Sequence, residues 1–193
     1  MARQKEFDRE VALDKAMRLF WEKGYEATSI QDLVERMGIN RGSLYDTFGD
    51  KHQLYLAALD RYQQREGRAA FLCLEAPASP LAAIRQTFAN LVQEAMTPQG
   101  RCGCFAVNAA VELAAHDPAI ASRAEATITN MEETFCHLLV QAQQNGELRS
   151  TQAPRTLARF LVNGVLGIRT LAKMKPSAEL LQDVVETTLS VLQ

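Results

Sequence analysis

The sequence predicts an all-α protein of about nine helices. Apolar residues recur at helical spacing, and no stretch alternates apolar and polar residues for long enough to indicate a β-strand. All six prolines lie beyond residue 76, so the first part of the chain lacks the strongest helix breaker. With 193 residues, 47% of them hydrophobic and 23% charged, the chain can bury a sizeable core.

The first two helices have clear start and stop signals. One is predicted over residues 8–23, followed by Gly24, which suits a left-handed C-terminal cap. The next begins near Ser29, and Asp32 three residues later completes the pattern of a capping box. Its buried face is predicted from apolar residues at helical spacing, which are Ile30, Leu33, Val34 and Met37.

Two more helices are predicted close behind. Gly38 marks a tight turn, and Asn40, a favourable N-cap residue, starts a short helix that reaches Phe48. Asp50 then caps a fourth helix that continues toward Leu74. Proline, glycine and asparagine divide the remainder into five helices over residues 81–96, 104–115, 118–144, 154–173 and 178–192, with a loop over 98–103.

The second and third helices, joined by a glycine-containing turn and packed on a longer first helix, form the pattern of a helix-turn-helix. The third helix would enter the major groove of DNA, which is wide enough for one helix. Ile39, Leu44 and Phe48 are predicted to face inward. From spacing alone, a plain helical bundle with a tight turn is an equal alternative.

The opposite face of the third helix offers side chains to DNA. Arg41 is the best candidate for a bidentate contact with guanine, and Gly42 allows the backbone to approach closely. The helix N-termini at Ser29 and Lys51 direct backbone N–H groups toward phosphates, and Lys51 adds a full charge. Hydroxyl groups on the same face are supplied by Ser43, Tyr45 and Thr47.

The segment from Phe20 to Val34, followed by residues 38–48 and Lys51, resembles the N-terminal domain of the TetR family of bacterial transcriptional regulators. The resemblance extends over about residues 7–60 and depends on the glycine, the Leu-Tyr-x-x-Phe run and the following lysine, all in register. It implies a DNA surface lined by Ser29, Gln31, Arg41, Gly42, Ser43, Tyr45, Thr47 and Lys51.

One residue of the recognition helix departs from this pattern. Asp46 stands where a neutral or basic side chain would suit phosphates better. Its carboxylate would select against certain bases, accept a hydrogen bond from cytosine N4, or point away from DNA, and we expect the last.

The resemblance also implies a C-terminal domain that binds a small-molecule effector and pairs two chains into a homodimer. The domains are expected at residues 1–52 and 75–193, with the fourth helix linking them over about 50–74. The last two helices would form a four-helix bundle with their copies, or their apolar stripes would pack inside one subunit. The stripes consist of Leu157, Phe160, Leu161, Val165, Ile168, Leu181, Val184, Val185, Thr188 and Leu192.

The predicted function is a ligand-controlled regulator that reads a palindromic operator as a dimer. Most regulators of this type repress, so a repressor is expected, with an activator as the alternative. No Ser/His/Asp order, phosphate loop, HExxH run or paired zinc motif indicates an enzyme, and no cofactor is expected. A helical protein-interaction adaptor is an alternative that would keep the fold without binding DNA.

Cys104 and Cys102 form a second candidate site. Cys104 begins a predicted helix, where the pKa of a thiol is lowered, so it is a candidate reactive thiolate. The Gly-Cys pair resembles NemR-like sensors of oxidants or electrophiles, and residues 7–9 and 12–17 resemble copper-responsive ComR-type relatives. Against both, a cysteine on a buried helix is most often a small core residue. Two cysteines are too few for a structural zinc site, and no metal is expected.

The charge balance constrains how DNA would be bound. The net charge is −2, and residues 1–70 carry 12 basic and 12 acidic residues. The positive field must therefore be local, which predicts weak non-specific binding. No apolar run approaches the ~20 residues of a membrane span, and the charged N-terminus lacks a signal-peptide core, so a cytoplasmic protein without membrane contact is expected.

Overall fold

The computed structural model describes residues 7–69 and 79–193, and within these ranges it contains nine α-helices and no strand. The predicted all-α class is thus confirmed. The predicted end of the fourth helix near Leu74 lies outside the described residues. The helices are α1 (Arg9–Lys23), α2 (Ile30–Met37), α3 (Arg41–Phe48), α4 (Lys51–Ala69), α5 (Pro80–Ala95), α6 (Phe105–Leu113), α7 (Pro118–Gln144), α8 (Pro154–Ala172) and α9 (Ala178–Leu189).

Helix boundaries follow the local signals in the sequence. Asp8 caps α1 by accepting a hydrogen bond from the Glu10 N–H at 2.8 Å, and Asn40 caps α3 in the same way. Two short 3₁₀ turns in the described part of the chain were not predicted. One, Gly100–Cys102, lies in the expected loop, and the other, Ser190–Leu192, replaces the last turn of α9.

The buried side chains form two clusters. The first cluster contains side chains of the four helices α1, α2, α3 and α4 and of the start of α6. The second contains side chains of α5, α7, α8 and α9. The first turn of α6 therefore belongs to the core of the N-terminal helices, although α6 follows α5 in the chain. Among the described residues no helix is long and apolar enough to cross a membrane.

An aromatic cluster, defined as Phe20, Trp21, Tyr25, Tyr55, Tyr62 and Phe105, holds α6 against α1 and α4. The Phe105 ring meets Tyr55 and Tyr62 edge to face, at centroid distances of 5.4 and 5.7 Å. The Trp21 indole donates a hydrogen bond to the Gly103 carbonyl at 3.0 Å. Such ring pairs contribute about 0.5–1.5 kcal/mol each beyond the burial of their area.

The residues of the two apolar stripes are mostly buried inside one chain, which favours the second of the two alternatives that the sequence left open. Helical spacing identifies an apolar face but not its partner, and here the inner face packs on α5 and α7. Phe160 is exposed, and Val184 and Val185 are half-buried. The side chains that pack in the core of their own chain are Leu157, Leu161, Val165, Ile168, Leu181, Thr188 and Leu192.

Phe105→Ala is expected to lower the free energy of unfolding by about 3–5 kcal/mol, because it leaves a cavity in the aromatic cluster. Urea denaturation measures the loss. Val111→Ala on the same helix is the control, since Val111 is 84% exposed and its truncation removes little packing. Equal, small effects of both substitutions would contradict the placement of α6.

Candidate nucleic-acid interface

The turn between α2 and α3 has the geometry that a helix-turn-helix requires. Gly38 adopts φ 72° and ψ 34°, a left-handed conformation that favours glycine, and its N–H donates to the Val34 carbonyl. Ile39, Leu44 and Phe48 are buried, so the predicted inward face of α3 is confirmed. The opposite face of α3 is left for solvent.

Arg41 occupies the first turn of this outer face. Its Nη2 donates to the Tyr45 hydroxyl at 3.3 Å, and its guanidinium lies 5.7 Å from the Tyr45 ring centroid. A cation above an aromatic face is held by the ring's quadrupole without losing its charge. Arg41, Gly42, Tyr45 and Asp46 are exposed, whereas Ser43 and Thr47 are half-buried.

Ser29 lies at the exposed start of α2, where it forms the predicted capping box. Its hydroxyl accepts from the Asp32 N–H at 3.1 Å, and its own N–H donates to Asp32 Oδ2 at 2.9 Å. The Ser29 N–H and the Lys23 ammonium lower the pKa of Asp32 to about 2. The charge of the Asp32 carboxylate is balanced by the Lys23 ammonium, 3.0 Å away. Gln31 is exposed and donates to Glu35.

Lys51 begins α4 and contacts a residue that sequence reasoning did not select. Its ammonium lies 4.3 Å from the centroid of the Tyr25 ring, in the turn between α1 and α2. Tyr25 in turn meets Tyr55 edge to face at 4.9 Å. The position of Lys51 thus depends on the α1–α2 turn as well as on its own helix.

Glu112 of α6 was also missed, although it binds the same turn. Its carboxylate accepts hydrogen bonds from the backbone N–H groups of Tyr25 and Glu26. These partners are 87 and 86 residues away in the sequence, and no local spacing rule connects residues so far apart.

The cysteines are placed differently from each other. Cys104 is the N-cap residue of α6, is 6% exposed, and its sulfur accepts a hydrogen bond from the Tyr62 hydroxyl at 3.6 Å. Cys102 is half-buried, and its burial, followed by the charge of Glu22, raises the pKa of its thiol. This effect opposes a thiolate at Cys102.

Cys104 borders a cleft of about 410 Å³ between the end of α1, α6 and the end of α8. Its other lining residues include Trp21, Val107, Asn108, Glu112 and Lys173. No group of three or more histidine, cysteine, aspartate or glutamate side chains that could hold a metal ion occurs among residues 7–69 and 79–193.

Comparison with known proteins gives matches over both halves of the chain. Residues 12–58 match the profile of "Bacterial regulatory proteins, tetR family", and residues 80–188 match that of "Tetracyclin repressor-like, C-terminal domain". An HTH-type transcriptional regulator of Bacillus subtilis, YezE, is 39% identical over the full length of both chains. The transcriptional repressor ComR of Escherichia coli is 38% identical, covering 97% of this chain and 90% of its own.

A solved structure extends the similarity to three dimensions. The TetR family regulator CifR, a cysteine mutant in complex with a 26-bp double-strand operator DNA, superposes with a TM-score of 0.87. It is 28% identical, and the match covers all of both chains. The chain described here therefore belongs to the TetR family of bacterial transcriptional regulators, which are DNA-binding proteins and not enzymes.

Proposed function

We propose that this protein is a repressor that binds a two-fold symmetric operator as a homodimer and leaves it when a small-molecule effector binds. The observation that carries the proposal is the exposed face of α3, where Arg41 is held beside Tyr45 at the start of a helix whose other face is buried. An arginine in that position suits bidentate contact with a guanine in the major groove. Several relatives, ComR among them, are named as repressors.

The proposed functions follow the domain boundaries expected from the sequence. Residues 1–52 bind DNA, and residues 75–193 bind the effector and pair two chains into the dimer. Pairing would use the outward faces of α8 and α9. Phe160 is 45% exposed on α8 and Leu180 is 43% exposed on α9, values that are high for large apolar side chains. Gly167 adds open surface, since a Cβ atom built there meets no atom within 4 Å.

Release would be a shift between two arrangements of the same dimer. Two recognition helices can read successive major grooves only when they lie about one helical turn of DNA apart. An effector that binds more tightly to an arrangement with a different spacing lowers operator affinity by that difference in binding free energy.

Cys104 supports a second candidate, a repressor that responds to electrophiles or oxidants. Its thiol borders the cleft at the start of α6. A molecule covalently attached to this sulfur would displace side chains of the aromatic cluster. Nothing in the described residues favours the copper-responsive or adaptor alternatives over these two.

The probe is the operator sequence that the wild-type protein selects from a random DNA library, called the selected operator. Arg41→Ala is expected to weaken binding to this sequence by about 1–3 kcal/mol and to relax base preference at one position in each half-site. Fluorescence anisotropy with the selected sequence and single-base variants measures both effects. Arg149→Ala, an exposed arginine of the α7–α8 loop, is the control. Unchanged affinity and base preference for Arg41→Ala would overturn the role of α3.

Phe160→Asp is expected to convert a dimer into a monomer, because it places a charge in the proposed apolar interface. Light scattering measures the mass, and specific DNA affinity should fall with it. Met96→Asp, at an apolar residue of similar exposure at the end of α5, should stay dimeric. A wild-type monomer at micromolar concentration, or a dimeric Phe160→Asp, would contradict the proposed interface.

Cys104→Ser distinguishes the two effector candidates. If the thiol is the sensor, N-ethylmaleimide should release wild-type protein and Cys136→Ser from DNA but leave Cys104→Ser bound. The readout is DNA affinity before and after treatment. Release of Cys104→Ser at the wild-type rate would rule out Cys104 as the sensor.

A further inference from the structure

The carboxylate of Glu112 joins the last turn of α6 to the turn between α1 and α2. Its Oε2 accepts from the Tyr25 N–H at 3.0 Å, and its Oε1 accepts from the Glu26 N–H at 2.8 Å. Both donors lie beyond the end of α1, outside its own hydrogen-bond pattern. Hydrogen bonds to an ionised acceptor are about twice as strong as those between neutral groups.

The conformation of Gly24 makes room for this contact. Its φ of +85° belongs to a region that side-chain-bearing residues rarely adopt, and a Cβ atom there would lie 3.0 Å from Glu112 Oε2. The turn is thus shaped to present two successive N–H groups to one carboxylate.

The turn held by Glu112 supports two groups of the DNA-binding face. The Tyr25 ring carries the Lys51 ammonium at 4.3 Å, at the start of α4. The Tyr25 carbonyl also accepts from the Thr28 N–H at 3.2 Å, directly before Ser29 caps α2. A shift of the turn therefore moves both the start of α2 and the Tyr25 ring that the Lys51 ammonium contacts.

Glu112 also borders the cleft described above, at the opposite end of α6 from Cys104. The first turn of α6 is fixed by Phe105 in the aromatic cluster, whereas its last turn reaches the α1–α2 turn through this side chain. A conformational change at the cleft can therefore be transmitted to the DNA-binding helices through the contact of Glu112 with the α1–α2 turn.

We propose that Glu112 is a positioning residue for DNA binding. It sets the α1–α2 turn, and through Tyr25 it places Lys51 and the start of α2 in the arrangement that reads the operator. This inference rests on the proposed function, since it assigns a residue outside the helix-turn-helix to operator recognition.

The test compares Glu112→Ala and Glu112→Gln with Glu125→Ala, which removes an exposed carboxylate of α7. Affinity is measured for selected operator and for random-sequence DNA, together with the thermal midpoint of unfolding. We expect Glu112→Ala to lose about tenfold or more in operator affinity, within the usual range of coupling between sites. Affinity for random DNA should fall as well, because Lys51 and the start of α2 face phosphates, whereas dimerisation should stay as in the wild type. Glu112→Gln keeps one acceptor oxygen and should lose less.

A double-mutant cycle with Lys51→Ala tests the route through Tyr25. If Glu112 acts by placing Lys51, the double mutant Glu112→Ala/Lys51→Ala loses less operator-binding free energy than the sum of the losses in the two single mutants. Strictly additive effects would overturn this route.

Wild-type operator affinity in Glu112→Ala would overturn the proposal. A loss of thermal stability or of dimerisation large enough to account for the loss of DNA affinity would do the same, because it indicates a general structural role. If Glu112→Ala does not fold, Glu112→Gln decides by the same measurements. A wild-type protein that selects no DNA sequence would instead refute the proposed function, so the two failures are distinguishable.

Discussion

The burial of the first turn of α6 among the aromatic side chains of α1 and α4 is the constraint on which the rest of the arrangement depends. Phe105 fills the space between Tyr55 and Tyr62, and the Trp21 indole binds the backbone just before α6. Protein interiors are packed as densely as organic crystals, so a buried ring cannot shift without moving its neighbours. Any rearrangement of α6 therefore reaches α1 and α4, which carry the helix-turn-helix.

The same construction explains how a protein with an acidic total charge can bind DNA. Many basic side chains of the N-terminal helices are paired with carboxylates, as Lys23 is with Asp32 and Arg61 with Asp14. Arg41 and Lys51 instead lie over the rings of Tyr45 and Tyr25, and neither forms an ion pair with a carboxylate in residues 7–69 or 79–193. Positive charge is thereby concentrated where α3 and α4 begin, although the net charge of the N-terminal part is zero.

Sequence reasoning succeeded where the determining contacts are local. The capping box at Ser29, the cap at Asn40 and the inward face of α3 follow from residues within one or two turns of each other. It left two alternatives for the stripes of α8 and α9, because periodicity defines a buried face without saying which chain buries it. Glu112 could not be found in this way, since an exposed glutamate on a helix gives no sign of backbone N–H donors 87 and 86 residues away.

Hydrogen exchange of the wild-type protein, with and without selected operator DNA, tests the link between α6 and the DNA-binding face most directly. We expect slower exchange in α3 and at the start of α2 when DNA is bound. We also expect slower exchange at Tyr25 and Glu26 and in α6, which packs on α4 and α7. Protection of α3 with unchanged exchange at Tyr25, Glu26 and α6 would contradict the link, and no protection of α3 would contradict its role in reading DNA.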